Sequence, residues 1–214
     1  QAVLIGTHHK TGTVWLERVF QMLCRYSGSQ FVDINPEVNS AAERSSKLSE
    51  AANSDVRTFL YDHHSRFEDI DFGVCARLHV VRDPRDIIVS GMRYHMRSNE
   101  SWLHQPDTRL DGLTYQQKLL SFSNDADRYR FEYENIAGST IAEIEKIEQR
   151  GDFLTFRYED LIADTGLEHW RKLFESAGLE GDEIIVGLVA AWQNSLFGAM
   201  KPELSAHIHS RGSS

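Results

Sequence analysis

Short apolar runs alternate with segments of helical periodicity along almost the whole chain, and this alternation restricts its possible folds most. Apolar runs at 2–6, 31–34, 56–61, 76–81 and 153–156 have the length and residue types of strands. In the segments between them, apolar residues recur at three- and four-residue spacing. Strands that alternate with helices predict an α/β fold, with a central, mainly parallel sheet and helices on both faces.

The helical pattern places helices at 13–26, 114–123, 126–149, 165–177 and 181–198, with a further one beginning at Asp83-Pro84. Residues 98–113 form the longest predicted loop, and 37–54 a polar surface segment with a partly helical pattern. No repeat or linker divides the 214 residues, so we expect one domain over 1–214. Because the sequence opens almost directly on a strand, we expect the natural chain to extend past one or both ends.

Composition restricts the partners of the chain. A net charge of −9 disfavours nucleic acid. No apolar run is long enough for a membrane span, although a removed N-terminal signal or anchor stays open. The two cysteines, Cys24 and Cys75, lie in apolar contexts, which indicates buried thiols in a reducing compartment and predicts a cytoplasmic protein.

The turn between the first strand and the first helix has the composition of an anion-binding loop. Residues 6–13 read Gly-Thr-His-His-Lys-Thr-Gly-Thr, and such a turn directs backbone N–H groups and the positive end of the helix at one point. A Walker loop for ATP has its lysine directly after the second glycine. Here Thr13 follows Gly12, and Lys10 precedes it by two residues. The sequence predicts a P-loop-like turn for an anion other than ATP–Mg²⁺.

A second candidate anion site follows the fourth predicted strand. Residues 79–90 read His-Val-Val-Arg-Asp-Pro-Arg-Asp-Ile-Ile-Val-Ser. Arg82 offers a guanidinium fork that suits a phosphate, and Ser90 adds a neutral donor from the helix.

These two segments resemble the motifs of the PAPS-dependent sulfotransferases, where PAPS is 3′-phosphoadenosine 5′-phosphosulfate. Lys-Thr-Gly-Thr-Val-Trp-Leu at 10–16 resembles the family's 5′-phosphosulfate loop, P-K-S-G-T-T-W-L. Residues 79–90 resemble its 3′-phosphate motif, V-x-R-[ND]-P-[KR]-D-x-x-V-S. His9 replaces the family's proline, and Val14 replaces its second threonine, whose hydroxyl donor is lost. The resemblance covers most of the chain in motif order and is specific in these two motifs.

The resemblance implies a nucleotide-binding role for several side chains. Lys10 would contact the bridging oxygen of the donor, and Trp15 would stack on adenine. Tyr158, in a segment that resembles the family's F-x-Y-E-D-L, would hydrogen-bond the adenine. The tail 209–214 resembles the opening of the family's R-x-G-x-x-G-x-W loop. The residues expected to bind PAPS, or its product PAP, are therefore His9, Lys10, Thr11, Gly12, Thr13, Val14, Trp15, Arg82, Ser90, Tyr158, Arg211 and Gly212.

Sulfuryl transfer needs a base for the acceptor proton, and histidine suits this role near neutral pH. The family has its base just after a strand and some twenty residues before the 3′-phosphate arginine, where this chain has His63 and His64. Neighbouring residues point to opposite faces of a strand, so only one of the two is expected to face the cleft. The sequence favours His64 slightly and leaves His63 open. The expected catalytic residues are thus Lys10 and one of these histidines.

The resemblance implies a sulfotransferase that moves a sulfuryl group from PAPS to a hydroxyl or amine of a small-molecule or carbohydrate acceptor. Trp102 and His104, in the long loop, are candidate walls of the acceptor pocket. No metal is expected, because the pair His207-x-His209 lacks a third ligand at suitable spacing. Two alternatives stay open, a P-loop kinase that uses ATP–Mg²⁺ and a non-catalytic relative that binds PAP or PAPS. The sequence leaves the acceptor and the oligomeric state undetermined.

Overall fold

The structure is a computed structural model that describes residues 2–67 and 76–198. In these ranges five strands form one sheet in the order β2-β3-β1-β4-β5, and every neighbouring pair is parallel. The strands are β1 (Ala2–Gly6), β2 (Gln30–Asp33), β3 (Thr58–Asp62), β4 (Ala76–Val81) and β5 (Leu154–Arg157). The predicted parallel α/β sheet is confirmed.

Helices connect β1 to β2, β2 to β3 and β4 to β5, while residues 68–75, between β3 and β4, lie outside the described ranges. The α-helices are α1 (Thr13–Ser27), α2 (Ala41–Ala52), α3 (Pro84–His95), α4 (Tyr115–Ser121), α5 (Asp125–Glu132), α6 (Gly138–Arg150), α7 (Tyr158–Ile162), α8 (Glu168–Ser176) and α9 (Asp182–Gln193). A π-helical turn, Tyr133–Ala137, joins α5 to α6, so the predicted helix 126–149 is continuous but carries a π turn. The predicted loop 98–113 contains two short 3-10 helices, and α7 was not predicted.

The side chains of β1 show why helices cover both faces of the sheet. Val3 and Ile5 pack into a cluster with α1, α8 and α9, whereas Ala2 and Leu4 pack on the opposite face with α2 and α6. Successive strand residues point to opposite faces, and both faces of β1 are apolar. A central strand that is buried on both sides needs helices on both sides.

No helix in the described ranges is long and apolar enough to span a membrane.

The strand order creates a crevice at the carboxyl edge of the sheet. The chain leaves β1 towards β2, at one end of the sheet, and leaves the neighbouring strand β4 towards β5, at the other end. Connections that diverge from two adjacent parallel strands form a switch point, where open sheets of this kind bind ligands. The loop after β1 contains Lys10, and Arg82 directly follows β4.

Candidate active site

Threonine hydroxyls hold the loop between β1 and α1 in shape. The Thr11 hydroxyl donates to the carbonyl oxygen of His8 (2.9 Å) and accepts from the His8 backbone N–H (2.9 Å). The Thr13 hydroxyl donates to the same carbonyl at 2.8 Å. Because Thr11 is buried and fully engaged in these bonds, its side chain shapes the loop and is not available to a ligand.

Two residues of this loop adopt left-handed backbone conformations. Gly12, at the N-terminus of α1, has φ +90°, and a Cβ atom there would lie 2.7 Å from a ring carbon of Tyr158. Lys10 has φ +67°, which costs a non-glycine residue about 1–2 kcal/mol. Such strain persists where the surroundings enforce it, and it is concentrated at functional sites.

Arg82 supplies the contact that enforces the Lys10 conformation. Its Nη1 donates to the Lys10 carbonyl oxygen at 3.0 Å. The guanidinium carbon lies 4.5 Å from the ring centroid of Tyr158, a cation–π contact, and Asp86 Oδ2 lies 3.9 Å from Nη2. The side chain is only 7% exposed, and Nε has no acceptor among the described residues. A buried guanidinium with an unused donor is suited to an anionic ligand.

The ammonium group of Lys10 lies 4.0 Å from the centroid of the Tyr94 ring. Burial, and then the positive charge of Arg82, lower the pKa of Lys10 to about 8, while Glu100 and Glu132 oppose the shift. The Tyr94 hydroxyl donates to Glu100 Oε1 at 2.6 Å, and the Trp102 indole N–H donates to Glu100 Oε2 at 2.7 Å. Glu100 therefore links the aromatic wall beside Lys10 to the long loop.

His63 and His64 lie in the turn after β3. This turn packs closely on β1, because the Ser65 hydroxyl donates to the Thr7 carbonyl oxygen at 2.9 Å. The Asn35 side-chain nitrogen lies 3.3 Å from His63 Nε2. The Asn35 side-chain oxygen accepts a hydrogen bond from the Glu37 backbone N–H. Asn35 therefore donates to His63, whose Nε2 carries a lone pair. Burial, and then His64, lower the pKa of His63, which favours the neutral imidazole.

A cavity of about 320 Å³ lies at this edge of the sheet. It brings together residues from the loop after β1, the turn after β3, α3 and the first residue of α7. Its lining residues are His9, Lys10, Gly12, Thr13, Val14, Trp15, Glu17, His63, Arg82, Ser90, Tyr94, Glu100 and Tyr158. The volume lies in the range of small-molecule sites.

The structure places most of the expected residues in this cavity, with differences in detail. Among the described residues, the lining includes His63 but not His64, Trp102 or His104, and Thr11 lies behind it. Arg211 and Gly212, like the pair His207 and His209, lie outside the described residues. Sequence reasoning missed three lining residues, Glu17, Tyr94 and Glu100. Glu17 lies one helical turn after Thr13 in α1, and Tyr94 lies one turn after Ser90 in α3. Each therefore shares a helix face with an expected site residue, so helical periodicity could have identified both.

The Trp15 ring is more deeply buried than a ring whose whole face is open for a base to stack on. It is 3% exposed, its indole N–H donates to the Asn194 carbonyl oxygen at 2.6 Å, and its ring meets Tyr158 and Trp170 edge-on. It nevertheless lines the cavity beside Tyr158. These two rings form the aromatic end of the site, and Lys10, Arg82 and His63 form its polar part.

His9, which stands in place of a proline in the resembling motif, connects the loop to a buried polar network. Its ring stacks on that of His95 at a centroid distance of 5.2 Å, and His95 Nδ1 lies 2.9 Å from Glu132 Oε2. The Tyr115 hydroxyl donates to the same oxygen. Burial, and then His95 and Lys10, lower the pKa of His9 to about 3, so the ring is neutral beside Lys10.

Comparisons with protein-family models and with solved structures identify the proteins that this chain is similar to. The family model described as a sulfotransferase domain matches residues 1–201. No curated protein sequence matches the chain. Among solved structures, mouse sulfotransferase SULT7A1 complexed with PAP is similar, with a TM-score of 0.56 and 16% sequence identity. The alignment covers 91% of this chain and 64% of the mouse chain, so this chain spans somewhat less than two thirds of that relative.

Proposed function

This chain belongs to the sulfotransferase domain family, and from that premise we propose that it transfers a sulfuryl group from PAPS to a hydroxyl or amine acceptor. The observation that supports the proposal best is the pairing of Lys10 and Arg82. The half-buried ammonium of Lys10 and the buried guanidinium of Arg82, from different strand ends, line one cavity, and the guanidinium hydrogen-bonds the backbone of the lysine residue. A ligand with two separate anionic groups suits such a pair, and PAPS has a 5′-phosphosulfate and a 3′-phosphate.

The nucleotide is proposed to bind with its 5′-phosphate at Lys10 and its 3′-phosphate at Arg82 and Ser90. Arg82 Nε is buried and has no acceptor in the described ranges, so a phosphate oxygen at Arg82 would supply a missing partner. Adenine would lie towards Trp15 and Tyr158, the aromatic end of the cavity. His9, Gly12, Thr13 and Val14 line the same cavity and would border the nucleotide. PAP in the complex of the mouse relative supports a nucleotide of this type.

The base is assigned to His63 rather than to His64, which the sequence pattern slightly favours. His63 lines the cavity with Lys10, and its Nε2 lone pair accepts only a long hydrogen bond, 3.3 Å, from the Asn35 amide, which the acceptor group would displace. In the proposed step the acceptor oxygen or nitrogen bonds to sulfur as its proton passes to His63 Nε2. The bond between sulfur and the bridging oxygen of the phosphate breaks at the same time, and Lys10 stabilises the charge that develops on the leaving phosphate.

Thermal unfolding with two nucleotides tests the donor. PAP should raise the unfolding temperature, whereas ATP with Mg²⁺ at the same concentration should raise it little, because ligands stabilise the state that binds them. Arg82→Ala should remove most of the PAP shift. A larger shift with ATP–Mg²⁺ than with PAP would point to the alternative of a P-loop kinase.

Turnover tests the transfer step. Radiolabelled PAPS is offered with acceptors of several classes, including phenols, sugars, amines and lipids, and label transfer is measured. Lys10→Ala should lower the rate by about 10²–10³-fold, the usual effect of removing a group that stabilises the transition-state charge. Near-normal rates in Lys10→Ala would exclude the assigned role of the loop. PAP binding without transfer to any acceptor would instead indicate the non-catalytic relative.

A further inference from the structure

Glu37, His63 and His64 bring three potential metal-ligand atoms together beside the cavity. One atom from each side chain lies within 4.8 Å of the other two. The two imidazole rings have a centroid distance of 4.3 Å, and the side chains of His63 and His64 are 33% and 18% exposed. An ion from solution could therefore reach the group, and the group is partly shielded.

The distances between these nitrogen and oxygen atoms are close to those between ligands of one ion. His64 Nε2 lies 3.0 Å from Glu37 Oε1, yet it makes no hydrogen bond among the described residues. His63 Nε2 lies 3.9 Å from Glu37 Oε2, which is too long for a hydrogen bond. Tetrahedral zinc with ligands at about 2.0–2.1 Å has ligand atoms about 3.4 Å apart. The 3.0 Å and 3.9 Å separations, which run to different oxygens of the Glu37 carboxylate, lie on either side of this value.

The donor set points to one kind of ion. Two imidazoles and a carboxylate are the protein ligands of many zinc sites, and a fourth position then stays open to water or substrate. Soft thiolates are absent from the set, and a single carboxylate with two imidazoles is a poor match for Mg²⁺ or Ca²⁺. Zinc would coordinate His63 Nε2 and displace the 3.3 Å hydrogen bond that this nitrogen accepts from the Asn35 amide.

We propose that Glu37, His63 and His64 form a binding site for Zn²⁺ next to the cavity, and that bound zinc inhibits sulfuryl transfer. The inhibitory role rests on the proposed function, because zinc on His63 Nε2 would occupy the lone pair that accepts the acceptor proton. Lys10 and Arg82 are not ligands in this arrangement. Zinc should therefore block transfer and leave nucleotide binding in place.

Zinc binding is measured directly, by competition of the metal-free chain with a chromophoric zinc indicator. His207 and His209 are replaced by asparagine in every protein compared, because imidazoles of the tail could bind zinc themselves. One Zn²⁺ per chain should bind at micromolar concentration or below. Glu37→Gln and His64→Asn should each weaken binding by about tenfold or more, the least effect expected when a zinc ligand is lost. His169→Asn, which removes an exposed histidine from α8, is the matched control and should not change the affinity.

The PAP-induced thermal shift shows that each variant is folded, so a lost zinc site can be told from a lost fold. The site is excluded if the starting protein binds no zinc, or if Glu37→Gln and His64→Asn bind it as tightly as His169→Asn does. Inhibition is then measured with the acceptor found in the radiolabel screen. Zinc should abolish label transfer, a chelator should restore it, and Glu37→Gln should need about tenfold more zinc for the same inhibition.

The zinc site and its inhibitory role can each be disproved without disproving the proposed sulfuryl transfer. Bound zinc with unchanged turnover would leave the metal site and remove its inhibitory role. A protein that transfers no sulfuryl group to any acceptor would contradict the proposed function, while the indicator competition would still decide whether the zinc site exists.

Discussion

At the scale of single residues, Lys10 combines an unfavourable backbone conformation, a half-buried ammonium group and a neighbouring cation. Each of these costs free energy in the empty protein, and the Arg82 hydrogen bond to the Lys10 carbonyl keeps the arrangement in place. An anion that binds between the two cations would relieve their repulsion. Strain and repulsion that a ligand relieves are typical of a binding site and serve no purpose in a turn that is only structural.

The lowered pKa of Lys10 predicts how PAP binding depends on pH. In the free protein Lys10 loses its proton as the pH rises through about 8, and the neutral amine attracts phosphate poorly. The PAP affinity should therefore fall about tenfold between pH 7 and pH 9, since each pH unit above a pKa lowers the protonated fraction about tenfold. Isothermal titration calorimetry in buffers of different ionisation enthalpy should also detect proton uptake on binding near pH 8.

Lys10→Arg is the control for this pH dependence. A guanidinium stays charged over the whole range, so the PAP affinity of this variant should be nearly constant between pH 7 and pH 9, whatever its absolute value. Wild-type affinity that is as constant as that of Lys10→Arg would show that Lys10 keeps its proton and that its pKa is not lowered.

At the scale of elements, the start of α1 is fitted to the start of α7. Gly12, the left-handed residue directly before α1, leaves room for the Tyr158 ring, and the Arg82 guanidinium lies over that ring. The Asp83 backbone N–H donates to Glu159 Oε1 at 2.9 Å, which joins the start of α3 to α7 as well. Three helix starts therefore meet at the cavity, and a change at one of them should be felt by the others.

Gly12→Ala tests this contact, with Gly28→Ala as the matched control at the other end of α1. Gly28 has φ +75° and open space around it, so alanine there should cost only the left-handed backbone, about 1–2 kcal/mol. Alanine at Gly12 has the same backbone cost and a Cβ atom 2.7 Å from the Tyr158 ring, and overpacking adds about 1–3 kcal/mol. Urea unfolding gives both free energies. Equal losses in the two variants would show that Tyr158 moves away without cost.

The elements also show what sequence could and could not predict. Asp83 as the cap of α3 and Pro84 as its first residue are local signals, and the structure confirms both. The alternation of strands and helices similarly gave the parallel sheet. Glu100, by contrast, reaches the cavity because the long loop folds back towards Tyr94 and Lys10, and no spacing in the sequence encodes that approach. The short helix α7 was missed for the same reason, since its start is fixed by contacts to α1 and α3.

At the scale of the whole molecule, buried histidines collect around the loop between β1 and α1. His8 Nε2 lies 2.7 Å from His79 Nε2, so one ring donates to the other, and neither side chain is exposed to solvent. Burial lowers the pKa of His8, although Glu143 opposes this shift. Burial, and then His8, lower the pKa of His79 to about 3, and that of His9 is lowered to the same level. Burial therefore favours the neutral form of all three rings in the folded protein, most strongly for His9 and His79.

These rings predict that acid destabilises the fold. Below pH 6.5, the ordinary histidine pKa, the unfolded chain binds protons that the folded chain does not. The free energy of unfolding should then fall with decreasing pH, by up to about 1.4 kcal/mol per pH unit for each histidine, and the loss should continue towards pH 3. Urea unfolding between pH 7 and pH 5 measures this slope. In His79→Gln, whose amide can still bond to His8, one of the three titrating groups is gone, whereas the carboxylates are unchanged. Below pH 6.5, the free energy of unfolding of this variant should fall less steeply with decreasing pH, by about the contribution of one histidine. An unchanged slope would mean that His79 does not remain neutral in the fold.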